Sequence, residues 1–382
     1  MNICLVISSL TCGGAERVVA TLATKFQELG HQVTIVTVSS DDSDFYTIPN
    51  SVNRIGLDML RNSSGLLAAI TNNFHRIRAI RQAASEASAD VVISHLTETN
   101  ILTVLASAGS KFPVIITEHC DPENLSYGKF WSVLRRLTYP HAKLLVSVSQ
   151  GVENFFSWLP KERKRVIYNP FFIPDSGDSA AKNVATILDK QSNTIVSMGR
   201  LTHQKGFDLL INAFSKLASK YKDWSLVILG EGELRNDLEK LIKDLGISSR
   251  VSLPGRVNDP FSILRKSDLF VMSSRFEGFP MAHGEAMMCG LPIVATDCPS
   301  GPSELIRNGV DGLLVPNGDG EALQEAIEEL ISNPELRDRM SRSASQVTER
   351  FESKSIVSEW ITVSNQLTPQ NTRQYRDPEN LT

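Results

Sequence analysis

The chain has 382 residues, of which 41% are hydrophobic and 21% are charged, and its formal net charge at pH 7 is −4. This length exceeds the size at which one hydrophobic core stops growing, so we expect two domains of roughly 150–200 residues. The composition is that of an ordinary globular protein and excludes a disordered chain, and we expect no nucleic-acid partner.

The five cysteines are odd in number and show no C-x-x-C spacing, which argues against a disulfide framework and against a zinc site. We therefore expect reduced thiols, a cytoplasmic protein and no bound metal. The first residues, MNICLVISSL, have no basic region and only a short apolar run, so they predict a β-strand rather than a signal peptide. No stretch approaches the ~20 apolar residues that a membrane span requires.

The first half of the chain alternates apolar runs with helical patterns. The expected strands are 3–8, 32–38, 90–96, 113–119 and 143–149, with helices at about 15–29 and 99–109. Continuous Val, Ile and Leu runs are typical of parallel strands that are buried on both faces. Residues 1–170 therefore predict one Rossmann-like domain.

The pattern breaks at 166–190, where two prolines and a polar Gly, Ser and Asp run indicate an interdomain connection. A second series has strands at 193–199, 224–230, 251–255, 269–274, 292–297 and 312–316, and helices from about 206, at 233–245, near 259–266 and after Glu285. The predicted fold class is α/β, with two Rossmann-like, doubly wound parallel-sheet domains, 1–170 and 171–353, that face each other across a cleft. A helix at about 354–366 is expected to pack back on the first domain, and 367–382 to form a flexible tail.

A glycine pair, Gly13 and Gly14, follows the first predicted strand and leads into a helix. The free amide groups and the dipole of a helix start favour an anionic ligand, so we expect donor binding here. The segment is not G-x-G-x-x-G, and no acid follows the second strand where a dinucleotide site needs one. Glycines that only permit a tight turn remain the alternative.

The stretch MGRLTHQKGF, at 198–207, follows the first strand of the second half and presents Arg200 and Lys205 from one loop. Two cations that converge with helix-terminal amides beyond a strand end predict a phosphate site, and two cations suit a diphosphate. Chance placement of two basic residues on an exposed loop remains the alternative.

Two glutamates, Glu277 and Glu285, stand eight positions apart in RFEGFPMAHGEAMMCG. Glu277 follows the strand at 269–274, and Glu285 is expected to begin the next helix, so both should face the crevice of the Arg/Lys loop. A carboxylate can accept two hydroxyl hydrogen bonds at once. Phosphate-binding cations beside such a carboxylate predict a ligand with phosphate at one end and adjacent hydroxyls at the other, which describes a nucleotide sugar.

The second half resembles the nucleotide-sugar domain of retaining glycosyltransferases of family 4, which have the GT-B fold. The resemblance is carried, in order and spacing, by VSMGRLTHQKGFDLLINAF, VILGEG, VSLPGRV, SSRFEGFPMAHGEAMMCGLPIVATDCPSGPSELI and DGLLVPNGD. Glu277 and Glu285 match the E-x7-E motif of that family. The early GGAE and the T-E-H after the strand at 113–117 extend the resemblance over nearly the whole chain.

The resemblance implies a role for each matching donor residue. Arg200 and Lys205 would bind the donor diphosphate. Glu285 would hold the ribose hydroxyls, and Glu277 would lie by the sugar. The other donor-binding positions that the resemblance implies are the backbone of Gly278, Phe279, Pro280 and Met281, around the sugar, and Arg256 and Val257, in the segment that reads the base. Uracil and guanine both remain open, and UDP is our expectation.

The histidines differ in what they predict. His119, in T-E-H, matches a family histidine that points into the cleft near the sugar, so the resemblance adds it to Glu277, Arg200 and Lys205 as a catalytic candidate. His95 is a candidate for the acceptor side, with a purely structural histidine as the alternative. His283 stands where the family mostly has apolar residues, and it either adjusts sugar choice or has no role.

The stretch LLAAITNNFHRIRAIR, at 66–81, predicts a basic amphipathic helix. Its apolar positions are Leu66, Ile70, Phe74 and Ile77, and its basic positions include His75, Arg78 and Arg81. Such a helix can lie on an anionic membrane or bind a phosphate-bearing acceptor, so Arg78 and Arg81 are acceptor candidates. Ordinary packing on the sheet is the alternative. Trp131, Arg135, Arg136 and the basic run 161–165 suit the same interface.

The expected reaction is transfer of a hexosyl or N-acetylhexosaminyl group from a UDP-sugar, with retention at the anomeric carbon. No Asp-x-Asp motif occurs, so we expect neither a metal nor a cofactor. The expected acceptor is a glycan or a polyprenyl-diphosphate-linked glycan at the inner face of the cell membrane, while a soluble acceptor and a protein serine remain open. The alternatives are a nucleotide-sugar epimerase or a phosphorylase on the same fold, and a non-catalytic nucleotide-sugar binder.

Overall fold

The computed structural model describes residues 1–60, 65–125, 128–172, 187–188 and 192–368. The chain divides into two compact units, one formed by Met1–Pro170 with the segment from Ser353, the other by Phe171–Glu352. Much of the predicted connection at 166–190, and the predicted tail from residue 369, lie outside the described residues. Within the described ranges, no helix is both long enough and apolar enough to cross a bilayer.

The first unit contains a seven-stranded parallel sheet with the strand order β3-β2-β1-β4-β5-β6-β7. The strands are β1 (Asn2–Ile7), β2 (Gln32–Thr37), β3 (Asn53–Gly56), β4 (Val91–His95), β5 (Val114–Glu118), β6 (Leu144–Ser147) and β7 (Lys164–Val166). The helices are α1 (Gly14–Glu28), α2 (Leu66–Glu86), α3 (Thr97–Ser107), α4 (Gly128–Thr138) and α5 (Gln150–Phe155). The central strands are buried on both faces, as their continuous apolar runs require.

The strand order decides on which side of this sheet each helix lies. α1 connects β1 to β2 in one direction along the sheet, whereas α2, α3 and α4 connect strands in the opposite direction. Because parallel crossovers are right-handed, α2, α3 and α4 share one side and α1 lies on the other. α3 packs between α2 and α4 and is almost entirely buried.

The second unit contains a six-stranded parallel sheet with the order β10-β9-β8-β11-β12-β13. Its strands are β8 (Asn193–Met198), β9 (Trp224–Leu229), β10 (Val251–Gly255), β11 (Leu269–Met272), β12 (Ile293–Asp297) and β13 (Gly312–Pro316). Its helices are α6 (Phe207–Ala218), α7 (Arg235–Asp244), α8 (Pro260–Leu264), α9 (Met281–Met288), α10 (Pro302–Leu305), α11 (Gly320–Ser332), α12 (Pro334–Ala344) and α13 (Val347–Arg350). The last helix, α14 (Ser353–Leu367), belongs to the first unit and contacts α1.

The predicted fold class, two doubly wound α/β units with parallel sheets, is confirmed. The predicted cleft between them stays a prediction. Sequence patterning missed the two edge strands β3 and β7, whose sequences are NRIG and KRV. An edge strand is covered less completely than a central one, so it does not need the continuous apolar run by which the others were found.

Each sheet has one point at which the strand order reverses direction. These points lie between β1 and β4 in the first sheet and between β8 and β11 in the second. The loops that follow the two strands diverge there, which leaves a crevice at the carboxyl edge where ligands of open α/β sheets bind. Ligand-binding residues are therefore expected in the loops that follow these strands.

Candidate functional site

The carboxyl edge of the second sheet brings together the residues of the predicted phosphate site. The loop after β8 carries Arg200 and Lys205, and the loop after β11 carries Glu277. β8 and β11 are neighbours in the sheet and are the strands between which the order reverses. The two loops therefore border the crevice of the second unit.

Two glycines shape the loop that carries Lys205. A Cβ atom on Gly199 would lie 3.3 Å from three carbons of the Lys205 side chain, so the lysine extends across this glycine. Gly206 follows the 3₁₀ turn with a φ of +61°, and a Cβ there would overlap the carbonyl of Ser273. This left-handed conformation favours glycine. The loop thereby holds the lysine against the end of β11.

Lys205 forms a buried ion pair with Glu277. Its Nζ lies 2.6 Å from Glu277 Oε1, and Ser274 Oγ donates to the same oxygen at 2.6 Å. Burial raises the pKa of the Glu277 carboxyl, but the charge of Lys205 and the hydrogen bonds from Lys205 and Ser274 outweigh it, so this pKa lies below its usual value. An ionised carboxylate and an ammonium group therefore meet at the reversal point of the sheet.

His283 lies in α9, interacts electrostatically with this ion pair and is only 1% exposed. Burial lowers the pKa of its imidazole to about 4, while the Glu277 carboxylate raises it and Lys205 lowers it. The ring packs against Phe270 with the centroids 5.7 Å apart. The histidine is therefore neutral at pH 7 and does not act as a third cation beside Arg200 and Lys205.

Two further basic residues of this edge, Arg200 and Arg256, are exposed. Arg200 lies on the surface of the β8 loop, and Arg256 lies on the loop after β10. The hydrogen bond from Arg235 lowers the pKa of the Glu231 carboxyl, and the charge of Arg256 adds to that effect. Val257 is half-buried. In the part of the chain that the structure describes, no group of three or more His, Cys, Asp or Glu residues could hold a metal ion.

The start of α6 carries an acidic side chain, Asp208, in its first turn. The Asp208 carboxylate lies 2.7 Å from Arg275. Burial raises the pKa of Asp208, but the hydrogen bond and the charge of Arg275 lower it below its usual value. The expected contribution of helix-terminal amides to a phosphate site stays a prediction.

Glu285 lies in the middle of α9, so the expectation that it begins this helix is wrong. The helix begins directly after Pro280, because proline lacks the N–H that an interior position needs. Glu285 is 3% exposed. Burial raises the pKa of the Cys289 thiol to about 11, and the charges of Arg265, Glu285 and Asp259 act on the same thiol. These neighbours indicate that Glu285 faces α8.

The predicted sugar-binding stretch 278–281 forms a buried turn. The ring of Phe279 stacks on Phe171 with centroids 5.6 Å apart, and the Met281 N–H donates to the Phe279 carbonyl at 2.9 Å. The loop after β12 packs on the same turn, since a Cβ atom on Gly301 would lie 2.7 Å from its proline ring. The turn is therefore held on two sides.

The first sheet carries a histidine pair, His95 and His119, at its carboxyl edge. His95 Nδ1 lies 3.0 Å from His119 Nε2, and Thr117 Oγ1 lies 2.9 Å and 3.0 Å from these atoms. Leu96, which directly follows the first histidine, has a φ of +74°. This conformation is strained for leucine, and such strain occurs preferentially at functional sites.

Both histidines are neutral, and one proton lies between the two nitrogens that face each other, His95 Nδ1 and His119 Nε2. Burial lowers the pKa of His119 to about 4 and that of His95 well below its usual value. The Thr117 hydroxyl donates to the Ser94 carbonyl at 2.9 Å, so it can only accept from the histidines. One ring therefore donates to the other, and the tautomer of each fixes that of its partner. His95 is completely buried, so it lies behind His119 rather than on the surface.

A buried carboxylate that sequence reasoning did not single out, Glu118, precedes His119 in the chain and ends β5. Glu118 is 1% exposed, accepts a short hydrogen bond from the Tyr139 hydroxyl and accepts from Thr97 Oγ1 at 2.9 Å. Burial raises the pKa of Glu118, and Arg135 opposes that effect. Arg135 is only 7% exposed and lies over the Phe155 ring, so its expected place at a membrane interface is wrong. Its positive charge instead favours the ionised form of the buried Glu118 carboxylate.

The glycine pair after β1 contacts a tyrosine that the sequence did not indicate. The Gly13 N–H donates to the Tyr46 hydroxyl at 3.2 Å, and that hydroxyl donates to the Gly13 carbonyl at 2.8 Å. Gly14 begins α1, and Arg17 lies 5.6 Å from the centre of the tyrosine ring. The sequence signal that could have indicated this contact is the pair of aromatic residues Phe45 and Tyr46 in a polar loop.

The two acceptor candidates of α2 lie away from the histidine pair. Arg81 donates to the carbonyls of Ala106 and Ala108, both at 2.7 Å, and thereby caps the end of α3. α2 and α3 both run from the carboxyl edge of the sheet to its amino edge, so Arg81 lies at the amino edge. Arg78 is exposed about one turn earlier. The structure therefore does not bring Arg81 together with the histidines.

Both units match known protein families. Residues 12–171 match the sequence model of Glycosyltransferase Family 4, and residues 179–347 match that of Glycosyl transferases group 1. A Campylobacter jejuni alpha-1,4-N-acetyl-D-galactosaminyltransferase, named for a GalNAc-containing undecaprenol-diphosphate glycan, is 31% identical over 364 residues, or 94% of this chain and 97% of that protein. A second C. jejuni 4-alpha-N-acetylgalactosaminyltransferase is 30% identical over 363 residues, or 92% of this chain and 96% of its own length.

Solved structures share the fold at low sequence identity. HepE from Anabaena, in complex with UDP, is 20% identical with a TM-score of 0.75 and covers 96% of this chain and 100% of its own. Sucrose-phosphate synthase from Thermosynechococcus elongatus is 17% identical with a TM-score of 0.82 and covers 96% and 98%. These proteins and this chain therefore share one fold.

Proposed function

Since the chain belongs to the GT-B glycosyltransferases that pair a Family 4 domain with a group 1 domain, we propose that it transfers a hexose or N-acetylhexosamine from a UDP-sugar to a glycan, with retention. The two C. jejuni relatives are named for N-acetylgalactosamine transfer to undecaprenyl-diphosphate glycans. Structures of HepE contain UDP and UDP-glucose. These names support the donor class and a lipid-linked acceptor.

The observation that carries the proposal is the Lys205–Glu277 pair at the reversal point of the second sheet, 2.6 Å apart. A cation beyond the end of a strand can bind a diphosphate, and a carboxylate beside it can accept hydrogen bonds from sugar hydroxyls. Lys205 has three donors, so it can bond the carboxylate and a phosphate oxygen together. The pair therefore suits a ligand in which phosphate adjoins a sugar.

The two units divide the substrates in this proposal. The second unit, residues 171–353, binds the donor, and the first unit, residues 1–170 with the helix at 354–366, binds the acceptor. In the donor site, Arg200 and Lys205 hold the diphosphate, Glu285 the ribose, Arg256 and Val257 the base, and Glu277 with the stretch 278–281 the sugar. On the other side, His119 faces the sugar and His95 fixes its tautomer.

The proposed reaction takes place on one face of the sugar. The bond between the anomeric carbon and the donor phosphate oxygen breaks, and the acceptor oxygen bonds to the same face of that carbon. The acceptor proton passes to the departing phosphate oxygen, so UDP leaves and the configuration is retained. Arg200 and Lys205 stabilise the charge that develops on the diphosphate, without a metal ion. Glu277 stabilises positive character at the sugar.

A lipid-linked acceptor places the protein at the inner face of the cell membrane in this proposal. Basic residues on α2 and α4 of the first unit support a peripheral contact with anionic lipid. The observed exposure of Arg78, Lys129 and Arg136 fits that contact.

Calorimetry with UDP tests the donor site. Lys205→Ala and Arg200→Ala should each weaken binding by roughly 10- to 150-fold, because a hydrogen bond to a charged group contributes ~1.5–3 kcal/mol. Lys220→Ala is the matched control, because Lys220 is an exposed lysine of the same unit that pairs with Glu328. If all three variants bind UDP as tightly as the unaltered protein, this loop does not form the donor site.

Product analysis tests the reaction. UDP-sugars that stabilise the protein are assayed with a polyprenyl-diphosphate glycan, and the anomeric configuration of the new bond is read by NMR. An inverted product would contradict retention. Donor binding without transfer or hydrolysis would identify a non-catalytic binder instead.

A further inference from the structure

Three phenylalanine rings form one buried cluster in the second unit. Phe171, Phe279 and Phe351 are 3%, 5% and 6% exposed. The ring centroids of Phe171 lie 5.6 Å from those of Phe279 and 5.9 Å from those of Phe351, and the last two rings lie 5.6 Å apart. Each ring therefore packs against both others, at separations typical of favourable aromatic pairs. We call these three residues the phenylalanine cluster.

The three rings come from distant parts of the chain. Phe171 is the first residue of the second unit, and Phe351 lies one residue before its end at Glu352. Phe279 belongs to the turn 278–281, which the proposed function places around the donor sugar. The phenylalanine cluster thus joins both ends of the second unit to this turn.

The turn depends on side-chain packing for its position. Residues 278–280 belong to neither a strand nor a helix, so the regular backbone hydrogen bonds of those elements do not fix them. The loop after β12 is one support, because a Cβ atom on Gly301 would lie 2.7 Å from the Pro280 ring. The phenylalanine cluster is the second support, and it acts through the ring of Phe279. Loss of either support should let the turn shift.

The Phe171 ring also lies against α9. A Cβ atom on Gly284 would overlap this ring, so the ring occupies the space that any larger residue at this position would need. Glycine inside a helix is less favourable than alanine, and the contact with Phe171 gives a physical reason for a glycine here. Gly284 directly precedes Glu285. One ring therefore packs both on the sugar turn and on the helix that carries Glu285.

Phe351 is held in place by the ionic contacts of its neighbour in the chain. The Arg350 guanidinium lies 5.3 Å from the centre of the Phe351 ring and donates to the Leu305 carbonyl at 2.8 Å. It also lies 3.4 Å from the carboxylate of Asp311, which is completely buried and lies 2.6 Å from Arg307. These contacts fix the end of α13, and the Phe351 ring is fixed with it.

We propose that Phe171 and Phe351 are positioning residues for transfer, which hold the turn 278–281 through Phe279 in the place that the donor sugar requires. The inference rests on the proposed function and adds to it two residues that act without touching the nucleotide. Misplacement of a positioning group by about 1 Å can lower a rate by about 100-fold. Because the turn meets the sugar, loss of a cluster ring should impair transfer and leave UDP binding unchanged. A cluster that serves stability alone would show no such difference.

Transfer kinetics of the purified full chain test the proposal. The donor is the UDP-sugar that the unaltered protein transfers fastest to a polyprenyl-diphosphate glycan, from a panel that includes UDP-N-acetylgalactosamine and UDP-glucose. Phe171→Leu and Phe351→Leu keep an apolar side chain but remove a ring, and each should lower kcat at least about tenfold. Gly284→Ala should lower kcat in the same way, because its methyl group would displace the Phe171 ring. Calorimetry with UDP should give all three variants an affinity within about twofold of that of the unaltered protein.

Phe214→Leu is the matched control. Phe214 is a phenylalanine of α6 in the same unit and is 1% exposed. Its replacement should lower Tm about as much as the cluster variants, because it also removes a buried ring, yet it should keep both kcat and UDP affinity. Three variants that alter the cluster from different residues keep the test decisive if one of them does not fold.

Unchanged kcat in any folded cluster variant would overturn the proposal. A loss of UDP affinity as large as the loss of kcat would also overturn it, and so would an equal loss of kcat in Phe214→Leu, because both results would show a general loss of structure.

The outcomes separate this inference from the proposed function. No transfer by the unaltered protein with any donor of the panel would overturn the proposed function, and this inference with it. Transfer by the unaltered protein and equal kcat in the cluster variants would sink the positioning role and leave the glycosyltransferase proposal standing.

Discussion

Replacement of Glu277 by glutamine tests the centre of the proposed donor site. The side chains of Glu277 and Lys205 are 6% and 15% exposed and lie 2.6 Å apart. Breaking a buried pair by removing one charge costs ~3–5 kcal/mol. Because Lys205 keeps some contact with solvent, we expect the lower end, about 3 kcal/mol. For a domain of 150–250 residues this corresponds to a fall in Tm of roughly 6–12 °C.

The assay is thermal and urea unfolding of four proteins: the unaltered chain, Glu277→Gln, Lys205→Met and the double variant. The double variant should be less destabilised than the sum of the two single variants, because it leaves neither charge buried alone. Full additivity, or a Glu277→Gln variant as stable as the unaltered chain, would refute the ion pair as a stabilising contact.

The same variant separates the roles of the two residues in binding. In Glu277→Gln, the ammonium group of Lys205 lacks its counter-charge until a diphosphate supplies one. We therefore expect UDP affinity to be kept or increased, UDP to recover part of the lost stability, and kcat to fall, because the carboxylate acts on the sugar in the transition state. A loss of UDP affinity as large as that of Lys205→Ala would show that Glu277 holds the nucleotide instead.

Three further outcomes are expected. Glu285→Gln should lower UDP affinity about tenfold in calorimetry, and an unchanged affinity would contradict the ribose contact. The free energy of unfolding should fall as pH drops from 6.5 towards 4, by up to ~1.4 kcal/mol per pH unit for each buried neutral histidine. The reason is that the unfolded chain binds protons that the buried His95 and His119 cannot bind. In His95→Asn and His119→Asn, urea unfolding at a series of pH values should give a shallower dependence of this free energy on pH, and an unchanged dependence would argue against neutral rings. His95→Asn should keep UDP affinity and lose less kcat than His95→Phe, since only asparagine can still hydrogen-bond His119; equal losses would leave His95 without a positioning role.

Features that depend on residues close together in the sequence were predicted well. The Val, Ile and Leu runs located the buried strands, and the loop of Arg200 and Lys205 was found because it follows one of them. Local chemistry failed at one point. Glu285 was expected to begin α9, but it lies inside this helix, whose start is set by Pro280. The position of the proline decided the outcome, and the apolar run alone does not show where the helix begins.

The sequence by itself determined the two-domain α/β class, the parallel sheets and the strand ends at which functional residues lie, because burial on both faces demands continuous apolar runs that are visible in one dimension. Only the tertiary structure decided which strand ends meet. Lys205 and Glu277 are 72 residues apart, and His95 and His119 are 24 apart. Each pair forms because β8 neighbours β11 and β4 neighbours β5. Strand order follows from the packing of the whole sheet, and no local pattern carries it.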